Sequence, residues 1–260
     1  MEFTLDGRRV FAATGGRERD PAAPAVLLLH GAGMDHTVWA LQARAIAHRG
    51  RSVYALDWPG HGRSEGPALA TVEAMADWVL RAADALGIER FRLAGHSMGA
   101  LAALEAAARG GDRIEALALL GFVPEMRVHP ELLAAARDGR HSAVELMTSW
   151  SLATPLGANP APGLWLSGGA LRLLERAPAA ALAGALAACD AYRGAAAAAA
   201  QLRCPALLVL GAEDRMTPAS RGRSFAAGFA NMRVIVLSGA GHMMMSEDPY
   251  GCLAAMRTVL

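Results

Sequence analysis

The run Phe91-Arg92-Leu93-Ala94-Gly95-His96-Ser97-Met98-Gly99-Ala100 constrains this chain more than any other stretch. Apolar residues, broken only by Arg92, stop at Gly-His-Ser-Met-Gly, and an Ala/Leu-rich segment follows to Ala108. The pattern predicts a strand over 91–95, a sharp turn at Ser97 and a helix over 98–109. So tight a reversal forces its central residue into a strained backbone, and neighbours without a Cβ leave room for it. The turn exposes the Ser97 hydroxyl. It also sets the following N–H groups at a helix N-terminus, where negative charge is stabilised. A lone Gly-x-Ser-x-Gly is weak evidence in a chain with 28 glycines, so the rest of the sequence must carry the reading.

Upstream, residues 2–5 and 8–13 read as a hairpin around Asp6-Gly7, followed by a polar loop from Gly15 to Pro24. Ala25–Leu29 is a continuous apolar run, suited to a strand buried on both faces, and it ends at His30-Gly31-Ala32-Gly33. A helix near 37–49 leads to a strand at Ser52–Leu56, which stops at Asp57-Trp58-Pro59-Gly60-His61-Gly62-Arg63-Ser64. A helix over about 71–86 ends at Gly87. Further strands are predicted at Ile114–Leu120, Leu207–Leu210 and Val234–Leu237, with a final helix from about 247. Strands alternating with helices imply right-handed crossovers and a mostly parallel sheet, whose ligands sit at the carboxyl ends of the strands. The motifs at 30–33, 57–64 and 95–99 all fall at such an end.

The alternation fails between Gly121 and Leu202. That is too long for an ordinary connection. It offers helical pieces at 130–138, 141–152, 168–177 and 179–200, with a Pro/Gly-rich break from Thr154 to Gly163. We expect 122–190 to form a helical cap inserted into a core made of 1–121 and 191–260.

With 260 residues, 53% of them hydrophobic, the chain can bury a core on two faces. A net charge of +1 and no basic stripe with interleaved aromatics argue against a nucleic-acid partner. Cys189, Cys204 and Cys252 have no metal-binding or redox spacing and read as buried small residues. Neither a signal-peptide pattern nor a membrane-spanning run is present, so the expectation is a cytoplasmic protein without a membrane partner. It is expected to be a monomer or homodimer that needs no cofactor and binds no metal.

A serine hydroxyl is a poor nucleophile until an imidazole takes its proton, and the imidazole needs a carboxylate to fix its tautomer. Two downstream strand ends offer both. Leu207–Pro218 carries the acidic pair Glu213-Asp214 after its strand, and Val234–His242 ends in a glycine-rich loop at His242. The chain resembles an α/β-hydrolase fold enzyme over nearly its whole length. His30-Gly31-Ala32-Gly33 is similar to that family's oxyanion loop, 57–64 to its D-x-x-G-x-G-x-S loop, and 95–99 to its nucleophile elbow. Asp214 matches its acid position and Gly241-His242 its histidine loop.

The resemblance implies an eight-stranded, mostly parallel sheet with helices on both faces and a helical cap. It implies Ser97 as nucleophile, His242 as base then acid, and Asp214 as the orienting carboxylate. The N–H groups of Ala32 and Met98 would hold the oxyanion. Substrate contacts are expected from Gly33, Met126, Met147, Trp150, Trp165 and Met243, although the cap residues among them fit equally well as packing against the sheet. The expected substrate is a small to medium carboxylic ester. The alternatives are a carbon–carbon hydrolase acting on ring-cleavage-type diketones and a non-catalytic small-molecule binder. His30, His61 and His96 read as braces of their turns; His36, His48, His129 and His141 read as solvent-facing, with substrate contact the alternative for His129 and His141, which fall in the cap. Arg63 and Arg215 either meet an anionic group or stay solvated.

Overall fold

Asp6 and Gly7, both with positive φ (51° and 73°), close a hairpin of β1 (Glu2–Leu5) and β2 (Arg8–Ala13). The computed structural model describes residues 1–154 and 165–260. The strands β3 (Ala25–Leu29) and β4 (Ser52–Leu56) are buried at every residue, as their unbroken apolar runs require. Between them a 3₁₀ turn (His36–Trp39) runs into α1 (Ala40–Ala47). Helix α2 (Val72–Ala85) starts where the Thr71 hydroxyl accepts from the Ala74 N–H. Next come β5 (Phe91–His96), α3 (Met98–Gly110) and β6 (Ile114–Leu120).

After β6 the described residues form α4 (Pro130–Arg137), α5 (Ser142–Ser151), α6 (Leu166–Glu175) and α7 (Ala179–Ala191). The Thr154–Gly163 break lies, apart from Thr154, outside the described residues. The helix expected over 179–200 is two. Tyr192 turns extended after α7, its hydroxyl donates to Glu105 of α3 at 2.6 Å, and α8 (Ala195–Ala200) starts afresh against α3. An alanine tract carries no sign of such a break; the tyrosine's anchor supplies it. The chain closes with β7 (Ala206–Gly211), α9 (Ala219–Ala226), β8 (Met232–Leu237), α10 (Met244–Glu247) and α11 (Pro249–Met256).

The strands form one eight-stranded sheet in the order β1-β2-β4-β3-β5-β6-β7-β8. The pairings β1–β2 and β2–β4 are antiparallel and the rest parallel. Register brings Leu29 beside Gly95, His96 beside Leu120 and Gly211 beside Leu237, so the carboxyl ends of β3, β5, β6, β7 and β8 share one rim. Helix α3 is almost wholly buried because its sheet-facing residues are small. A Cβ on Gly99 would overlap the backbone carbonyls of Leu29 and His30, and one on Gly95 that of Gly99.

Gly99→Ala should therefore cost about 3 kcal/mol or more, because backbone on both sides cannot yield. Gly50→Ala, with φ +82° but open space, should cost about 1 kcal/mol. Urea midpoints at unchanged m would check the contrast, and equal shifts would refute it.

Candidate active site

Ser97 sits between β5 and α3 at φ 54°, ψ −120°; with Asp6 it completes the non-glycine residues of positive φ among those described. Its N–H donates to Leu120 O at 2.9 Å, which pins the strained turn to β6. The side chain is half-buried beneath α4–α7. The Met98 side chain is wholly buried, so only its backbone N–H can serve chemistry at the turn. As the first residue of α3 that N–H has no intrahelical acceptor, and the Ala32 N–H makes no hydrogen bond among the described residues.

From the β7 end, Asp214 is buried and Glu213 exposed. Asp214 Oδ1 accepts from the N–H groups of Met216 (2.9 Å) and Thr217 (2.8 Å). Its Oδ2 accepts from the Thr217 hydroxyl at 2.5 Å and from His242 Nδ1 at 2.8 Å. Burial pushes the Asp214 carboxyl up, but the His242 imidazole beside it, the hydrogen bond between them and those from Thr217 prevail, holding it below the usual carboxylate range. His242 is wholly buried, and its Nε2 has no hydrogen-bond partner. Ser97 and Nε2 are not hydrogen-bonded to each other. Such catalytic bonds are often long before substrate binds and tighten only around it.

The loop carrying His242 is tied to the end of α5. Glu247 accepts from Ala153 N–H at 2.7 Å and Gly241 N–H at 2.9 Å, and Met243 N–H donates to Ser151 O at 3.0 Å. Burial pushes the Glu247 carboxyl up. Sequence reasoning saw Glu247 only as the start of the last helix; nothing in spacing marks an acid that satisfies two backbone donors from separate segments.

The braces expected of His30 and His96 are present. His30 Nδ1–H donates to Gly31 O (2.9 Å) while Nε2 accepts from Trp58 N–H (3.2 Å), an arrangement only the neutral ring can make. His96 Nε2–H donates to His242 O at 2.9 Å, with the two rings 4.7 Å apart. Burial lowers the His30 pKa to about 4 and the His96 pKa to about 3. His61 is also buried and donates to Pro59 O at 3.1 Å. His36, expected in solvent, instead lies 3.0 Å from both oxygens of buried Asp57, because the 57–64 loop folds back over it.

A cavity of about 550 Å³ opens between this rim and the helices α4–α7, and Ser97, His242 and Ala32 line it. Of the expected substrate contacts, Met126, Met147, Trp150 and Met243 line it too. Trp165 does not: it is 70% exposed, with its ring folded over the start of α6. Gly33 does not either; with φ +67° it turns the chain under Leu174 and Leu182, whose side chains cover it. His129 lines the cavity while its Nδ1 caps α4, and Arg215 lines it as well, whereas His141 pairs with Glu145 and Glu175 and Arg63 with Glu2. Cys189 is a buried wall residue whose thiol is pushed up to about 12 by burial. Among the described residues no three His, Cys, Asp or Glu side chains are grouped to hold a metal ion, and no helix is long and apolar enough to cross a membrane.

A strained serine on a strand-to-helix turn, facing a buried imidazole–carboxylate pair across the rim of this sheet, is an arrangement seen in one large group of enzymes. Residues 26–255 match the alpha/beta hydrolase family, and the chain belongs to it. Relatives that it matches over most of its length include proteins named as hydrolases and esterases. It is 31% identical over 242 residues, 88% of each chain, to a provisionally named carbamate hydrolase, RutD, of Klebsiella pneumoniae. It is also 31% identical over 244 residues (84% of this chain, 87% of the other) to the pimeloyl-acyl-carrier-protein methyl ester esterase of Chromobacterium violaceum. In three dimensions it is similar to the enol-lactonase of Burkholderia xenovorans LB400, with a TM-score of 0.86 and 25% identity over 99% of this chain and 98% of that one.

The neutral histidines predict a pH dependence of stability. Unfolded, each takes a proton near pH ~6.5. Folded, His30 and His96 resist until about 4 and about 3. The unfolded chain thus binds protons that the native chain refuses, so this contribution is complete above about pH 6.5 and drains away as pH falls towards the folded values. Urea midpoints should drop between pH 7.5 and 5, and His96→Asn should flatten the slope; a midpoint constant over that interval would contradict it.

Proposed function

We propose that the chain is a serine hydrolase that cleaves carboxylic esters through an acyl-enzyme, with no cofactor. Ser97 Oγ attacks the ester carbonyl while His242 Nε2 takes its proton. The tetrahedral oxyanion rests on the Met98 and Ala32 N–H groups, each contributing about 3 kcal/mol by analogy with other oxyanion donors. Collapse expels the alcohol, protonated by His242. Water, activated by the same Nε2, then attacks the acyl-enzyme, releasing the acid and restoring Ser97. Asp214 stays ionised throughout and holds Nδ1–H, so that Nε2 is the free base. The helices α4–α7 act as a cap that shields the acyl group from bulk water.

One observation carries this reading: the buried imidazole bonded to Asp214 turns its one unpartnered nitrogen to the cavity that Ser97 lines. Relatives named for a methyl ester and an enol-lactone support ester cleavage over carbon–carbon cleavage. We place the protein in the cytoplasm, as a monomer or homodimer acting on small molecules.

Wild type should hydrolyse p-nitrophenyl acetate and butyrate and take a fluorophosphonate label on Ser97. Ser97→Ala should do neither, and Asp214→Asn should lose about a thousandfold or more in kcat. Equal turnover by wild type and Ser97→Ala would sink the proposal.

A further inference from the structure

The cavity wall carries charge of one sign only. Among the described residues that line it are two arginines, Arg127 and Arg215, and two histidines, His129 and His242, but no aspartate or glutamate. The rest of the lining is mostly apolar, with Met126, Leu132, Met147, Trp150, Leu173 and Leu186 prominent. Arg127 is engaged with Glu125 at 3.3 Å. Arg215 has no ion-pair or hydrogen-bond partner among the described residues.

Its backbone, by contrast, is held firmly. Asp214 Oδ1 accepts from Met216 N–H and Thr217 N–H, so the same carboxylate that orients His242 pins the turn on which Arg215 rides. The base and this guanidinium are therefore mounted on one rigid corner of the β7–α9 loop. Arg215 is exposed where it lines the cavity, and a guanidinium there presents a planar fork of donors matched to a carboxylate.

We propose that Arg215 is the specificity residue of the site and that the substrate is an ester carrying a carboxylate, bound at the cavity mouth by this fork while the ester reaches Ser97. The inference rests on the hydrolase reading above and adds a substrate class to it. The carboxylate sits on either the acyl or the alcohol part, and the two are separable by experiment.

The test compares kcat/KM for mono-p-nitrophenyl glutarate against p-nitrophenyl pentanoate (acyl side), and for carboxymethyl butyrate against ethyl butyrate (alcohol side). Wild type should favour the charged member of one pair. Arg215→Gln should cut that preference about tenfold or more, chiefly through KM, since a hydrogen-bonded charge pair is lost. Arg215→Lys should keep part of it and Arg215→Glu reverse it. Arg63→Gln, paired elsewhere with Glu2, should leave the preference as it is. Binding of monomethyl glutarate to Ser97→Ala protein, with and without Arg215→Gln, reads the same contact without turnover. No charged preference in either pair, or one that survives Arg215→Gln together with unweakened monomethyl glutarate binding, overturns the assignment. Ester turnover and fluorophosphonate labelling that persist in that case would leave the hydrolase reading standing; their absence would mark that reading as the one at fault.

Discussion

The site depends on how closely α3 approaches the end of β3. Two glycines, Gly95 and Gly99, remove the side chains that would hold the helix off, and the gap closes onto the Leu29 and His30 carbonyls. That approach puts the strained Ser97 next to the loop bearing Ala32, and both residues line the cavity. The strain at Ser97 is stored by the structure around it: the Leu120 carbonyl holds its N–H, and the wholly buried Met98 side chain fixes the next residue.

Charge is rationed under the rim. Asp214 is a buried carboxylate with four donors, while two buried histidines under the same rim are kept neutral: His96 packs on His242, and His30 accepts from the Trp58 N–H. Both resist protonation because burial disfavours their charged forms. Were either to charge, it would repel the imidazolium that forms on His242 during the proposed reaction. Neutral braces therefore keep the field of Asp214 undiluted.

Most of the frame was legible in the sequence, since strands buried on both faces announce themselves as apolar runs ending at glycine-rich loops. Ala25–Leu29, Ser52–Leu56 and Ile114–Leu120 begin and end where those runs do. Ser97, Asp214 and His242 were legible because each follows such a strand at the same rim. Features made by distant contacts were not. Tyr192 splits a helix because Glu105 lies opposite it, Glu247 ties Gly241 to Ala153, and His36 leaves solvent for Asp57. Trp165 misled for a related reason: its apolar character suggested the pocket wall, but the helix that carries it turns its ring outward.

The ties between α5 and the His242 loop give the helices above the sheet a part beyond shelter. Glu247 grips the residue before His242 and the residue two past the end of α5, and Met243 is bonded to Ser151, so His242 and that part of the cavity roof form one mechanical unit. Met147 and Trp150, on the same α5, line the cavity. A substrate that displaces α5 therefore pulls on the loop that aims Nε2, and one that fits beneath it leaves the imidazole where Asp214 holds it. Selectivity for acyl size and alignment of the base would then share a structural origin. On the proposal above, Arg215, fixed to the other side of the same imidazole through Asp214, would add a charged requirement to that alignment.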